Sequence, residues 1–348
     1  MRNLLGVLAL ILLLLAAYFL YQNEQGNNLL STDNNFKDFA IEDTSAIDQI
    51  FISQPNGKKV LISRREGKKW LVNGKFEARP DAIKLILKTA HDLKIQAPVS
   101  KKTFEGVVKR LASGATKVEF YEKGEKEPLK VWYVGDATAS RMGTYMLLEK
   151  DGQKSSMPYI GHLLMERGFL GPRFMVEPEL WRNPLILQVD PKKIKSISVE
   201  HSADSMASFR LVQEDKSEFS IQNLDKGTEA KVEAAVAIPY FKLFSKVFYE
   251  YVDKKTPQEE LDSIYQSPYR HKLEVVMQNG DKHLLKTFYM PVAPGANLKG
   301  VPIDYHPERM YAFSSFMGAD NYPIVQNFYF DKFLPDFHAF AESTNVEK

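Results

Sequence analysis

Residues 47–73 read IDQIFISQPNGKKVLISRREGKKWLVN, and this stretch alternates short apolar runs with turn-forming residues. Three isoleucines come before a Pro-Asn-Gly turn, and Val60 and Ile62 follow it. Apolar residues at every second position, separated by Asn-Gly or Gly, are typical of antiparallel strands joined by hairpins. The stretch therefore predicts three successive strands, the last of them carrying the Trp-Leu-Val triplet that begins at Trp70.

The same spacing of apolar residues recurs about 148 residues later in the chain. Residues 194–223 read IKSISVEHSADSMASFRLVQEDKSEFSIQN, with turns at corresponding places. Each copy continues with a predicted helix (residues 80–93 and 234–251), a strand pair, a long connection (residues 135–143 and 291–302) and an aromatic closing segment (residues 169–181 and 328–337). An ordered match of this length indicates a duplicated unit.

The predicted fold class is α+β. It consists of an N-terminal transmembrane helix followed by two tandem repeats, each an antiparallel sheet with one packed helix. The predicted bounds are residues 1–21 for the anchor, 22–38 for a polar tether, 39–183 for the first repeat, 187–340 for the second repeat and 341–348 for a tail. We expect matching core residues at Ile50, Trp70, Ile197 and Phe219, and a buried closing segment with Phe328, Phe330 and Phe333.

The predicted anchor is the apolar run at residues 4–21, LLGVLALILLLLAAYFLY, which has no charged residue. A run of this length is typical of a helix that spans a bilayer. No A-x-A cleavage pattern follows it, which favours a retained signal anchor over a cleaved signal peptide. Because Arg2 precedes the run, the positive-inside rule predicts a single-pass protein of the bacterial cytoplasmic (inner) membrane with its C-terminal domains in the periplasm.

Composition excludes several classes of function. Lys and Arg number 46 against 44 Asp and Glu, which gives a net charge of +2 and no whole-domain attraction for nucleic acid. The chain has no cysteine, so a disulfide, a thiolate metal site and a catalytic thiol are all impossible.

No stretch of the sequence matches a catalytic motif that binds phosphate, dinucleotide or zinc or that carries a nucleophilic serine. The nearest metal candidate is Asp304, His306 and Glu308, which would share one face of an extended chain. Three such residues without a partner segment are more typical of a polar loop. We therefore predict no catalytic residue, no cofactor and no metal.

The candidate interaction surface is a basic hairpin in the first copy, opposed only by Glu66. The second copy has no such excess of positive charge, so the scaffold does not require it. Such a hairpin is a candidate surface for anionic lipid headgroups, an acidic glycan or an acidic partner. Lysines that keep an edge strand soluble are the alternative. The residues of this surface are Lys58, Lys59, Arg64, Arg65, Lys68 and Lys69.

The sequence resembles a bacterial family called domain of unknown function 4340. The resemblance rests on the Phe-x-Ile pair that begins at Phe39, on Ile-x-x-Ile from Ile47, and on the Gly-x-x-Trp-x-Val-Asn pattern from Gly67. It implies an auxiliary component found beside gliding-motility-type ABC transporters, and it brings no catalytic residues. The second membrane span of some transporter-fused relatives is not present in this sequence.

These observations predict a membrane-anchored, extracytoplasmic, non-catalytic interaction module of a cell-envelope machine, such as a transporter, a secretion apparatus or a motility apparatus. The expected partners are the membrane, through the single span, and an envelope protein. Two alternatives stay open. One is a protein that binds a glycan or a peptidoglycan fragment in a groove between the repeats, lined by the two long connections. The other is a hydrolase without a recognisable motif.

Overall fold

The computed structural model describes residues 37–64, 69–318 and 321–341. The chain divides into two compact units, Met1–Asn183 and Pro184–Lys348. We call them unit 1 and unit 2 and describe each by itself.

Unit 1 is built on one antiparallel sheet, and its turns explain the local pattern. Gly57 and Gly124 have φ values of +83° and +82°, a conformation that glycine adopts without strain and that closes two of its hairpins. The strands are β1 (Ile47–Ser53), β2 (Lys59–Arg64), β3 (Trp70–Val72), β4 (Phe76–Glu77), β5 (Leu93–Pro98), β6 (Thr116–Glu122), β7 (Lys130–Ala137), β8 (Thr144–Lys150), β9 (Gln153–Lys154) and β10 (Tyr159–Leu163). The helices are α1 (Pro80–Asp92), α2 (Phe104–Gly114) and α3 (Pro178–Trp181).

Unit 2 repeats this style of construction with thirteen described strands. They are β11 (Leu185–Leu187), β12 (Ile194–His201), β13 (Phe209–Gln213), β14 (Phe219–Asn223), β15 (Glu229–Val232), β16 (Val247–Phe248), β17 (Tyr251–Val252), β18 (His271–Met277), β19 (Lys282–Pro291), β20 (Asn297–Leu298), β21 (Val301–Pro302), β22 (Tyr305–Ser314) and β23 (Pro323–Gln326). The helices are α4 (Ala234–Leu243), α5 (Gln258–Gln266), α6 (Asn327–Phe330) and α7 (His338–Ala341).

The main sheets of the two units have the same strand order. In unit 1 the order is β4-β3-β2-β1-β6-β7-β8-β10-β5, with β9 paired to β8. In unit 2 it is β15-β14-β13-β12-β18-β19-β22-β23-β17. When each strand of the unit 1 order is matched to the strand at the same place along the chain in the unit 2 order, strands that are neighbours in one sheet are also neighbours in the other. The central pairs also share a register, since Ile50 lies opposite Phe120 and Ile197 lies opposite Val275.

Each sheet packs apolar side chains on both of its faces. In unit 1, Trp132 and Leu148 point into the main core beneath α1. The residues adjacent to them in the strands, Tyr133 and Leu147, point to the opposite face. That second face carries a smaller cluster under α2, which includes Val107. Unit 2 has the same arrangement, with α4 packed in its main core and α5 over the smaller cluster.

The predicted fold class is wrong in two respects. The structure is mostly antiparallel sheet, with 40% strand and 22% helix, rather than α+β. Each sheet also carries a second short helix, α2 or α5, instead of one packed helix. These helices are amphipathic but short, with 11 and 9 residues, and only two side chains of each are buried, so neither was predicted from the sequence.

The prediction of a membrane protein held by a transmembrane signal anchor is also corrected. Across residues 37–64, 69–318 and 321–341, no helix has both the length and the apolar character needed to cross a membrane. The predicted span at residues 4–21 and most of the predicted tether lie outside the described residues.

Three finer predictions differ from the structure. The helix expected at residues 234–251 ends at Leu243, and of the aromatic residues after it Phe248 and Tyr251 belong to β16 and β17. Phe330 and Phe333 are buried as expected, but Phe328 is 91% exposed. Trp70 is only partly buried, because it lies in the short strand β3 near the edge of the sheet.

Candidate functional site

Three basic side chains of the predicted hairpin make contacts within unit 1. The Nζ atom of Lys58 lies 3.0 Å from Glu177, and that of Lys69 lies 2.8 Å from Glu77. Arg64 donates hydrogen bonds to the carbonyl oxygens of Ser45 and Ile47, and its guanidinium group lies 5.0 Å from the centre of the Trp70 ring.

The remaining members of that surface divide into two groups. Lys59 is exposed, and its side chain has no ion pair within the described part of the chain. Arg65 and Lys68 lie outside the described residues. Docking of a partner or a lipid to this hairpin stays a prediction.

The metal candidate does not assemble a set of ligands. In the part of the chain that the structure describes, no group of three or more His, Asp or Glu side chains could hold a metal ion. The Nδ1 atom of His306 accepts a hydrogen bond from the backbone N–H of Glu308, and its Nε2 atom lies 3.4 Å from Arg309. A neighbouring cation disfavours binding of a second one.

The two long connections have different structures. In unit 1 the chain turns back tightly, and the backbone N–H of Thr138 donates to the carbonyl of Gly143 at 2.9 Å. In unit 2, residues 292–304 form a projecting hairpin arm in which Leu298 pairs with Val301. The side chains of that pair are 47% and 64% exposed, so the arm contributes little to the core.

A groove of about 500 Å³ lies beside α2, on the outer face of the unit 1 sheet, which is the face opposite the main core. We call it groove 1. Val108, Leu111 and Ala112 of α2 form one side, and Leu147 of β8 lies on the sheet side. Val108 and Ala112 are exposed, so much of the apolar lining is open to solvent. A volume of this size falls in the range of ligand-binding clefts.

Polar groups at the sheet side of groove 1 are fixed by hydrogen bonds. The hydroxyl group of Tyr133 donates to Glu149 at 2.7 Å, and the Nζ atom of Lys154 lies 4.6 Å from the centre of the Tyr133 ring. Burial, together with the neighbouring carboxylate, raises the pKa of Tyr133 well above its ordinary value. Tyr133 therefore stays a neutral hydrogen-bond donor and cannot act as a base near pH 7.

Unit 2 has a groove of about 520 Å³ at the corresponding place, between α5 and the outer face of its sheet. We call it groove 2. Its lining is aromatic and polar: Gln258, Asp262, Tyr265 and Gln266 come from α5, Lys286 and Phe288 from β19, Phe313 from β22, and Tyr322 from the loop before β23. The ring centre of Tyr265 lies 5.0 Å from those of Phe288 and Tyr322. Burial raises the pKa of Tyr265 well above its ordinary value, so it too stays neutral.

The strand register shows that the two grooves occupy equivalent positions. Tyr133 lies opposite Leu147 in unit 1, and Lys286 lies opposite Phe313 in unit 2. The pair in unit 1 and the pair in unit 2 are equivalent. Each lies the same number of residues along its strands from the matched pairs Ile50–Phe120 and Ile197–Val275. Two residues further along β7 and β19 stand Gly135 and Phe288.

Gly135 allows α2 to approach the sheet closely. A Cβ atom added to it would lie 2.6 Å from Cδ2 of Leu111 and 3.1 Å from the carbonyl oxygen of Tyr145. In unit 2 the buried ring of Phe288 fills the corresponding space and contacts Tyr265 instead. The two units therefore differ at this register position, where a glycine stands beside the aliphatic groove 1 and a buried phenylalanine lines the aromatic groove 2.

Neither groove was predicted from the sequence. The residues concerned come from several separate segments of each unit, and no pair of them has a motif spacing. The available signals were the two short amphipathic stretches that form α2 and α5, with Val108 and Leu111 at helical spacing in the first of them.

Comparison with known proteins gives no assignment. No family model matches the chain, and neither a curated protein nor a solved structure with significant similarity to it was found. The resemblance to the family of unknown function described above therefore stays a prediction.

Proposed function

We propose that the chain is a non-catalytic, extracytoplasmic interaction module of a cell-envelope machine, and that it binds an apolar segment of a partner protein in groove 1. The observation that carries this proposal is the solvent-open apolar lining of the groove. Val108 is 36% exposed and Ala112 is exposed beside it, while Leu111 beneath them is buried. Exposed aliphatic side chains around a concavity are typical of protein-binding surfaces.

The chemistry of groove 1 favours binding over catalysis. Among the described residues that line it, none is a histidine or a carboxylate, and Tyr133 is held neutral. A bound segment would gain apolar contact with α2 and Leu147, at about 25 cal/mol per Å² of apolar surface removed from water. The rim lysines, Lys117 and Lys154, would stay solvated at the edge, as is usual for protein interfaces.

Substitution of one exposed groove residue tests this proposal. We expect Val108→Asp to abolish association of the full chain with its envelope partner, because it places a charge against the apolar segment. Lys109→Asp is the matched control, since Lys109 is exposed on α2 but does not line the groove. Association is measured by the mass of the affinity-purified native complex, and the melting temperature of each variant shows whether it folds. Equal recovery of the partner with both variants would contradict the proposal.

The extracytoplasmic location has its own test. A reporter enzyme that is active only in the cytoplasm, fused after Lys348, should be silent in cells that produce the full chain. Reporter activity would place the units in the cytoplasm and would remove the envelope machine from the proposal, without affecting the evidence for groove 1.

A further inference from the structure

Groove 2 combines aromatic side chains with hydrogen-bonding groups that are already oriented. The ring of Tyr322 packs on Tyr265, and the Tyr265 hydroxyl group donates to the carbonyl oxygen of Ala312 at 2.6 Å. Phe313 and Tyr322 both keep part of their surface in solvent. Rings that are held in place and partly exposed offer flat apolar platforms to a ligand.

The helix side of groove 2 carries a small polar network. Asp262 accepts hydrogen bonds through Oδ1 from Nε2 of Gln258 and from the hydroxyl group of Tyr322, both at 2.8 Å. Its second oxygen, Oδ2, has no hydrogen-bond donor among the described residues. A carboxylate with one oxygen fixed and the other open is suited to accept a hydrogen bond from a ligand hydroxyl group.

The sheet side of groove 2 carries a positive charge without a balancing carboxylate. Lys286 is partly buried, and its Nζ atom lies 5.8 Å from the centre of the Tyr269 ring. Within the described part of the chain, Lys286 has no ion pair. A partly desolvated ammonium group of this kind favours an anionic ligand group.

We propose that groove 2 binds an acidic glycan, whose carboxylate-bearing sugar pairs with Lys286. The C–H faces of the sugar rings would stack on Phe313 and Tyr322, and their hydroxyl groups would bond to Asp262 and Gln258. A purely apolar ligand would leave the open Asp262 oxygen and the Lys286 ammonium group unpaired in a closed interface, which is unfavourable. A neutral glycan would donate a hydrogen bond to the Asp262 oxygen but would leave the Lys286 ammonium group without a negative partner.

Titration calorimetry of the full chain with defined oligosaccharides tests this assignment. The probes are galacturonic acid oligomers of three to six residues, with cello-oligosaccharides of the same length as neutral controls. We expect the acidic oligomers to bind and their affinity to fall with added salt, because the pair with Lys286 is electrostatic. We expect the neutral oligomers to bind at least about tenfold more weakly.

Two variants locate the binding. Lys286→Gln should lower the affinity for the acidic oligomers about tenfold, to the level of the neutral ones. Tyr322→Leu should weaken both classes, and its melting temperature shows whether the unit remains folded. Equal affinity for acidic and neutral oligomers, no binding of either, or unchanged binding by Lys286→Gln would overturn the assignment.

Failure of this inference is distinguishable from failure of the proposed function. Val108→Asp alters groove 1 alone, so it should leave glycan affinity unchanged. Lys286→Gln should in turn leave recovery of the protein partner unchanged. A loss of glycan binding in Val108→Asp would place the glycan outside groove 2 and would contradict the inference.

Discussion

Groove 1 and groove 2 lie at the same point of two sheets that share one strand order, yet they have different chemistry. In groove 1, Gly135 brings α2 close to the sheet, and aliphatic side chains line the surface. In groove 2, the ring of Phe288 occupies the corresponding position, and aromatic and charged side chains line the surface. The same strand order places a groove at the same point of each sheet, while the side chains at and around this register position differ between the two units.

The largest expected effect comes from removal of the Phe288 ring. Phe288 is 2% exposed and supports Tyr265 at 5.0 Å, so Phe288→Ala should lower the free energy of unfolding of unit 2 by about 3–5 kcal/mol. Native-state hydrogen exchange on the full chain can measure this, because peptides from each unit are resolved. Unit 1 peptides are the internal control. A loss below about 1 kcal/mol would show that α5 does not depend on this ring.

The reciprocal change in unit 1 should be smaller. Gly135→Ala would push Leu111 away and press against the carbonyl group of Tyr145, so we expect a loss of about 1–3 kcal/mol in unit 1. Gly114→Ala is the matched control, because no atom lies within 4 Å of the added Cβ there. Exchange rates of α2 peptides give the measurement. If both variants behaved alike, the close approach of α2 would not be the cause of the difference between the grooves.

The two sheets also differ at the end of their first strand (β1 or β12) and the start of the strand paired with it (β6 or β18). In unit 2, His201 and His271 lie with their Nδ1 atoms 3.0 Å apart, and Nε2 of His201 lies 3.2 Å from the carbonyl oxygen of Pro335. A carbonyl only accepts, so Nε2 of His201 carries the proton and its Nδ1 accepts from His271. In unit 1, the register places Gln54 and Thr116 here, with Nε2 of Gln54 donating at 3.0 Å.

The histidine pair predicts a pH dependence that is confined to unit 2. Burial, then the nearby His201 and Arg270, lower the pKa of His271 from 6.5 to about 4. Between these values the unfolded chain takes up the proton first, so stability is complete above pH 6.5 and is lost as the pH falls toward 4. Because His271 is only partly buried, we expect on the order of 1 kcal/mol between pH 6.5 and 5.

A variant that carries the unit 1 pair is the control for this pH dependence. In His201→Gln/His271→Thr, the loss of stability of unit 2 on acidification should disappear. Hydrogen exchange at pH 7 and pH 5, corrected for the intrinsic rate, gives the measurement. An equal loss in the variant would show that the histidine pair is not the cause of the pH dependence.

The smallest expected effect concerns the hairpin arm at residues 292–304. The arm projects from the sheet, and its paired residues Leu298 and Val301 are largely exposed. Replacement of the arm by the tight turn of unit 1, which includes Arg141 with a φ of +57°, should change the stability of unit 2 by less than about 0.5 kcal/mol. Thermal unfolding of the full chain checks this. A large loss would show that the arm packs on the unit after all.

The sequence predicted those elements whose pattern is local. The first three strands were located correctly, because apolar alternation and the Asn-Gly turn mark β1 to β3, and α1 begins at Pro80 as expected. The apolar segment after Ala234 was predicted as one long helix, because almost every position is apolar and no polar face marks where α4 ends.

The grooves depend on contacts between distant segments, and these are not written in any local pattern. Leu111 and Gly135 come together only through the sheet, and nothing in the sequence indicates that this glycine serves close packing. The exposure of Phe328 has a related cause. It lies in α6, on the side of that helix that faces solvent, whereas Phe330 and Phe333 fill the core. The aromatic composition of the segment does not show which of its rings faces the core.

Photo-crosslinking in living cells can show whether a partner segment occupies groove 1. A photoreactive amino acid is placed at Ala112, which lines the groove, or at Ser113, which is exposed on α2 but does not line it. We predict an adduct of one discrete mass from position 112 and its loss when Val108→Asp is added. Equal adducts from both positions, or none from position 112, would contradict the proposal.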